Sequence, residues 1–473
     1  MAKDGAAGDW LVNISGFEEG LLEDVKSSFL GRIARNPSTT IYFVPQTLSQ
    51  LKPDAYKSRF IPLAIHFKFD SLFPQGKIKN KHVLYHVQSI LQRNPDRSFE
   101  DYLKAMNEMK DRIEKCHIEG YVVDFKRLLI AVFSGCFIVD NLLLFYEGKL
   151  TTAVDEICAT RFQYLWVDLL LLENQVPFFV LQRVFDMVVA NDNDSHYPSL
   201  VNLCLHFFNP FLEITKLQRP PMESESIHHL LHLVHHYLLP SENPPTPRNH
   251  LKILKPILTK LKNLWPSAPP PQNPISLENP TFETLTIKAI PSAKRVQDAG
   301  IKIRKKEGTG FSAICFNKNR GLLEIPHLHI DNNTDILLRN LVAWEQCHPD
   351  AGQFFTGYAI FMDYIINSSK DVEILLQNGI IEQSLGSDEE VASIFNGLST
   401  NLVYKRMEGS DLPVLCNHIN EYCLNDFNIW RAKLMADYFS NPWTIVSVIA
   451  AGILLLLTLT QTFFSTYSYF RPP

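Results

Sequence analysis

From Trp443 to Phe464 the chain reads WTIVSVIAAGILLLLTLTQTFF, 22 residues without a charged side chain. A helix rising ~1.5 Å per residue over this length spans the ~30 Å hydrocarbon core of a bilayer. Trp443 stands at one edge and Phe463, Phe464, Tyr467 and Tyr469 at the other, the arrangement of an aromatic belt. A buried core helix is the alternative, but Gln461 is the only strongly polar residue in the run and Pro473 follows nine residues after Phe464. The expectation is a C-terminal transmembrane helix over 443–464. Arg431 and Lys433 precede it and only Arg471 follows, a bias that points the N-terminal side to the cytosol. The start, Met1 to Trp10, lacks the basic and apolar pattern of a secretory signal. Together these describe a single-pass protein held by its tail, with the bulk cytosolic and the plasma membrane as the expected location.

The 442 residues before Trp443 are long enough for a sizeable core, and 46% of the chain is apolar against 20% charged, which excludes disorder for the bulk. A formal charge of -5 gives no reason to expect nucleic acid as a partner. The eight cysteines contain no Cys-x-x-Cys pair, so neither a zinc ribbon nor a disulfide scaffold is indicated.

Five segments follow from the pattern: an N-terminal stretch 1–36, a helical core region 37–239, a proline-rich linker or insertion 240–291, a second part of the core 292–440, and the anchor. The linker holds 12 of the 29 prolines, and prolines this dense deny regular helix. Lys81 to Lys115 has helical periodicity. Phe125 to Phe145 and Trp166 to Val189 are apolar stretches too interrupted to span a membrane, the second broken at Pro177, and both read as core helices. Ser292 to Ala299 reads as a helix ended by Gly300. Three short strands are expected within 301–330. A helix capped by Asn333 or Thr334 then runs to Cys347, and three or four more helices reach the anchor. The fold class is mainly α with a small β-sheet.

Several of these stretches resemble one plant family, domain of unknown function 247. They are Ile41-Tyr-Phe-Val-Pro45, Asp168-Leu-Leu-Leu-Leu-Glu-Asn-Gln-Val-Pro-Phe-Phe179, Ala293-Lys-Arg-Val-Gln-Asp-Ala-Gly-Ile-Lys302, Leu323-Glu-Ile-Pro326 and Leu338-Arg-Asn-Leu-Val-Ala-Trp-Glu-Gln-Cys347. The motif residues carried by the resemblance are Asp168, Glu173, Asn174, Gln175, Pro177, Glu324, Pro326, Arg339, Asn340 and Glu345. The resemblance implies a plant membrane protein with no established catalytic chemistry and no cofactor. Some grass members lie at self-incompatibility loci and are proposed as pollen-side determinants. The chain departs from the family after Pro62. A Gly-Pro-Tyr-His-His-Gly run is common there, whereas this chain has Ala64-Ile-His-Phe-Lys-Phe-Asp70, leaving His66 as the counterpart.

Two constellations invite a chemical reading. Asp168 and Glu173 interrupt an apolar stretch, and buried carboxylates with raised pKa values serve as general acids. The structural alternative is bracing: Pro177 frees backbone groups that Asn174 and Gln175 can satisfy, with Glu173 paired to a buried base such as Arg339. The second is His228, His229, His232, His235 and His236. On a helical wheel they fill an arc of about 120° opposite Leu230, Leu231, Leu233, Val234, Tyr237 and Leu238. His232 with His228 or His236 is an i, i+4 pair able to hold a metal, and the stripe could also form a pH-sensitive surface. A solvated polar face is the plainer reading. Lys302, Arg304, Lys305 and Lys306 read as the outer face of a strand, with contact to anionic lipid as the functional option.

The residues lead to a non-enzymatic, membrane-anchored interaction or recognition protein with an unidentified protein partner. A hydrolase using a buried carboxylate and a histidine-based metal or pH sensor are the alternatives.

Overall fold

The computed structural model describes residues 38–65, 81–118, 121–150, 164–190, 197–212, 221–240, 287–306, 314–348, 350–404, 412–438 and 442–470. The expectations for 1–36, for His66 and for most of the proline-rich stretch lie outside them. The chain divides into two compact units, Met1–Phe207 with Pro221–Leu233, and Phe208–Pro220 with Val234–Pro473.

The first unit is helical. Its elements are α1 (Gln46–Ser49), α2 (Lys81–Arg93), α3 (Phe99–Glu108), α4 (Lys110–Cys116), α5 (Phe125–Tyr146) and α6 (Phe178–Val189), followed by α7 (Leu200–Leu212), which passes into the second unit at Phe208. Helix α5 is the centre. The Asp124 carboxylate caps it by accepting the Arg127 amide at 2.9 Å, and every residue from Ile130 to Leu144 is buried. It is long and apolar enough to cross a membrane, but 89% of its apolar window is buried within the protein, as expected of a core helix. Helices α2, α3 and α6 pack around it. Gly135 permits the closest approach: a Cβ there would sit 2.8 Å from Cγ2 of Val184 on α6. The expected break near Pro177 is wider than one residue. The chain leaves helix after 164–168, makes a short 3-10 turn at Leu172–Asn174, and re-enters helix at Phe178 with Pro177 at its N-cap.

The second unit contains the strands. After α8 (Leu230–Leu238), which begins in the first unit, come α9 (Ala293–Asp298), β1 (Lys302–Lys306), β2 (Cys315–Asn317), β3 (Leu322–Pro326) and β4 (Leu328–Ile330). Gly300 ends α9 with φ of +87°, a conformation that costs other residues dearly. Strand β3 is central in a three-stranded sheet, parallel to β1 and antiparallel to β2. In β1, Ile303 is buried between the exposed Lys302 and Arg304, the alternation expected of the basic run, while Lys305, on the side of Ile303, is also exposed.

The expectation of three strands in one sheet is corrected. The stretch 322–330 divides at His327, and β4 pairs in parallel with β5 (Ile381–Gln383) as a second sheet. A three-residue strand flanked by helices carries almost no alternation to read. Helix α10 (Thr334–Cys347) is buried from Thr334 to Glu345. Asn333 stands at its N-cap as expected, but its side chain makes no capping bond; the Asp331 carboxylate instead accepts the Asn333 and Thr334 amides at 3.0 and 2.9 Å. Among the described residues five helices follow instead of three or four: α11 (Phe354–Ile365), α12 (Ser369–Gln377), α13 (Asp388–Leu398), α14 (Leu412–Cys423) and α15 (Asp426–Tyr438).

The last helix, α16 (Pro442–Phe470), has 29 residues. Its window Val446–Phe464 is long and apolar enough to cross a membrane, and none of it is buried within the protein. The hydroxyls of Thr458, Thr460, Thr462 and Thr466 donate to carbonyls four residues earlier, at 2.7–2.8 Å. Each hydroxyl is thereby satisfied within the helix.

Candidate functional site

The Asp168–Phe179 block leads through a 3-10 turn into α6, and its polar side chains reach backbone far away in sequence. Asp168 is wholly buried. Its Oδ2 accepts the Ser58 hydroxyl at 2.7 Å and the Phe60 and Ile61 amides at 2.7 and 3.1 Å; its Oδ1 accepts the Arg59 amide at 2.9 Å. Asn174 takes over where Asp168 stops. Its Oδ1 accepts the Leu63 and Ala64 amides at 2.6 and 3.3 Å, and its Nδ2 donates to the Ile61 and Asp168 carbonyls. Gln175 donates to the Leu169 and Leu171 carbonyls and accepts the Leu231 amide at 3.0 Å. Glu173 accepts the Val44 amide at 3.0 Å. Burial pushes its pKa up and the Val44 bond opposes this.

The block thus fastens residues 44, 58–64 and 231 to one turn. Such groups are the side-chain partners that irregular buried backbone needs. Arg339, the base suggested for Glu173, has partners within its own unit. The Arg339 guanidinium bonds its own helix neighbour Asp335 through Nε at 2.8 Å, and the Gly397 carbonyl at 3.2 Å. Periodicity places Arg339 and Asp335 one turn apart, and that proximity is cheaper than a distant partner.

A second cluster in the first unit was not anticipated. Asp140, fully buried, accepts His86 Nδ1 at 2.8 Å, Ser89 Oγ at 2.8 Å and Arg93 Nε at 3.0 Å. Arg93 extends the network to Glu147 and Tyr197. Burial raises the pKa of Glu147, but hydrogen bonds from Arg93, Tyr197 and Lys149 outweigh this and hold it at about 2. The residue types are those of a catalytic triad, but the wiring is not. Serine and histidine both serve the carboxylate, and the other imidazole nitrogen faces Asn141 Nδ2 at 3.4 Å instead of a nucleophile. The signal for this cluster was visible as Asp140 and Asn141 inside an otherwise apolar run.

The histidine stripe is corrected. Helix α8 starts at Leu230, so His228 and His229 precede it and the wheel does not apply to them. His229 and His235 are buried at 0% and 2% exposure, so the group is no solvated face. In the first unit His228 stacks on His232 with ring centroids 4.5 Å apart, and the His228 and His232 amides donate to His232 Nδ1 and His229 Nδ1. In the second unit His235 Nε2 meets Glu345 Oε1 at 2.9 Å. His236 is half-buried. Among the described residues, no three of His, Cys, Asp or Glu come together as a metal-holding group.

Glu345 organises the second unit as Asp168 does the first. It is buried, and beyond His235 it accepts the Phe355 amide at 2.9 Å and both the amide and hydroxyl of Thr356 at 2.7 and 2.8 Å, capping α11 from another helix. Asn340 Nδ2 donates to the Ile336 carbonyl at 2.8 Å. Glu324 lies in β3 opposite Arg304 and Cys315, and Pro326 closes that strand opposite Lys306. The burial of Cys136 pushes its thiol far up, which leaves it inert. A shallow depression of the first unit is lined by Ser199, Asn202, Met222, Glu223, Ser224 and Glu225. None of the motif residues reaches it.

The family model described as "Plant protein of unknown function", DUF247, matches residues 41–457. The chain is 28% identical to the UPF0481 protein At3g47200 of Arabidopsis thaliana, over 92% of this chain and 88% of that protein. It is 21% identical to the putative UPF0481 protein At3g02645 of the same plant, over 98% and 96%. No solved structure matches the chain.

Proposed function

Because the chain belongs to the DUF247 family of plant proteins, we propose that it is a non-enzymatic, membrane-anchored interaction protein. Its helical body faces the cytosol at the plasma membrane and recognises a protein partner. Pollen-side recognition in self-incompatibility is the particular role that the family resemblance suggests. The observation that carries the reading is α16, whose apolar window is exposed along its whole length. An aqueous surface does not tolerate such a patch, and a bilayer accommodates it. The motif carboxylates Asp168 and Glu345 support the non-enzymatic part. Each is buried, and its oxygens already accept four hydrogen bonds.

Specificity in such a protein resides in exposed segments on a rigid body. His66–Lys81 and Pro240–Pro291 are the segments that carry it in this proposal. The test is an exchange with the corresponding segments of a relative, read by affinity capture from plant membranes. Exchanging these two segments redirects partner choice, while exchanging Asp168–Phe179 lowers expression and leaves the partner unchanged. Partner choice that follows the Asp168–Phe179 block would overturn the proposal.

A further inference from the structure

We infer that helix α15 and the neighbouring strand β1 form a second membrane contact, an interfacial platform on an anionic lipid surface beside the anchor. The inference rests on the reading of α16 as a membrane span. On α15 the side chains of Phe427, Trp430 and Leu434 are 69%, 72% and 51% exposed. Their spacing of three and four residues puts them on one face of the helix. Leu424, just before the helix, is 80% exposed. The opposite face is covered: Asn428 and Ala432 lie against Gly300, where an added Cβ would come within 3.0 Å of Ala432. The helix is therefore held by one side and presents an aromatic stripe on the other.

Three features commit this stripe to lipid. Only residues 439–441 separate α15 from α16, a link that reaches roughly 10–15 Å from end to end even when extended. Wherever α16 enters a bilayer, α15 stays near its surface. Trp and Phe are residues of the membrane interface, where an apolar body and a polar edge are both accommodated. Cations flank the stripe. Arg431 and Lys433 are exposed on α15, Arg431 also donating to the Tyr422 hydroxyl at 2.9 Å. Two residues beyond Gly300, β1 adds the exposed Lys302, Arg304 and Lys305. Each such cation is attracted to an anionic leaflet. The helix also carries Asp426 in its first turn and Asp437 three residues beyond Leu434, two acids against the five cations Arg431, Lys433, Lys302, Arg304 and Lys305.

The test uses the full chain reconstituted in vesicles of phosphatidylcholine with about one-third phosphatidylserine, carrying brominated acyl chains that quench tryptophan. Subtracting the signals of Trp430→Phe and Trp443→Phe from that of the unaltered chain isolates each tryptophan. Quenching of both is the expected result, with Trp430 quenched less in vesicles lacking phosphatidylserine and less after Lys302→Gln, Arg304→Gln and Lys305→Gln together. A quenched Trp443 beside an unquenched, iodide-accessible Trp430 leaves the anchor standing and refutes the platform. A Trp430 sheltered from both lipid and iodide assigns the stripe to a second copy of the chain and refutes it equally. An unquenched Trp443 removes the anchor reading itself, and the platform with it.

Discussion

Replacing Asp168 tests how the family block works. In Asp168→Asn the amide oxygen can stand where Oδ2 stood, keeping the bonds from Ser58, Phe60 and Ile61. The NH2 group then confronts the Arg59 amide, a donor facing a donor. One charge-assisted bond is lost and the others weaken, for a cost of roughly 2 kcal/mol. Asp168→Leu removes all four acceptor contacts. Ser58, Arg59 and Phe60 are partly or fully exposed, so water can take over much of their bonding. Ile61 is buried, and its amide is left unsatisfied. The released segment also loosens the Leu63 and Ala64 bonds to Asn174. The sum is roughly 4–6 kcal/mol, a large share of the ~5–15 kcal/mol that holds a typical domain. Urea unfolding of the full chain in detergent, followed by tryptophan fluorescence, reads it out, with Trp166 two residues from the site. A leucine variant within ~0.5 kcal/mol of the unaltered protein would refute the bracing account.

His117 and Glu173 supply two smaller tests. His117 is 3% exposed, and burial lowers its pKa from 6.5 to about 4, against the raising effect of its bond to the Ile113 carbonyl. The unfolded chain therefore binds the proton first, and stability falls as pH drops from about 6.5 toward 4, by at most roughly 3 kcal/mol. Glu147, held at about 2, adds a further loss only below its unfolded value of 4.5. Urea midpoints measured across this range should keep the upper part of the slope in the unaltered chain and lose it in His117→Asn; an unchanged slope would assign it elsewhere. Glu173 is half-buried with one amide donor, so Glu173→Gln should cost under ~1 kcal/mol and Glu173→Leu roughly 1–2 kcal/mol. Equal stability of the two variants would show that the Val44 bond contributes nothing.

The legible parts of this fold are those with strong local signatures. Helix α5 declares itself by an apolar run, α9 by Gly300, and β1 by the alternation of Ile301 and Ile303 with basic residues. The bracing role of Asn174 and Gln175 was readable from Pro177, because a proline frees backbone groups that then need partners. Their partners at 61, 63, 64 and 231 were not, since distances that tertiary packing creates leave no periodic trace. The same limit hid the β4–β5 pairing and the Glu345–His235 bond. The histidine stripe misled because a wheel assumes that the helix has already begun. The chain turns into α8 two residues after His228, and the same packing buries His229 and His235.

The central claim is that one segment holds this protein in a membrane. Deleting Trp443–Pro473 and washing plant membranes with alkaline carbonate tests it directly. The full chain should stay in the pellet, and the truncated chain should appear in the supernatant, folded, because α5 is enclosed by the first unit. A truncated chain that remained carbonate-resistant would mean that another segment spans the bilayer, and would contradict the account.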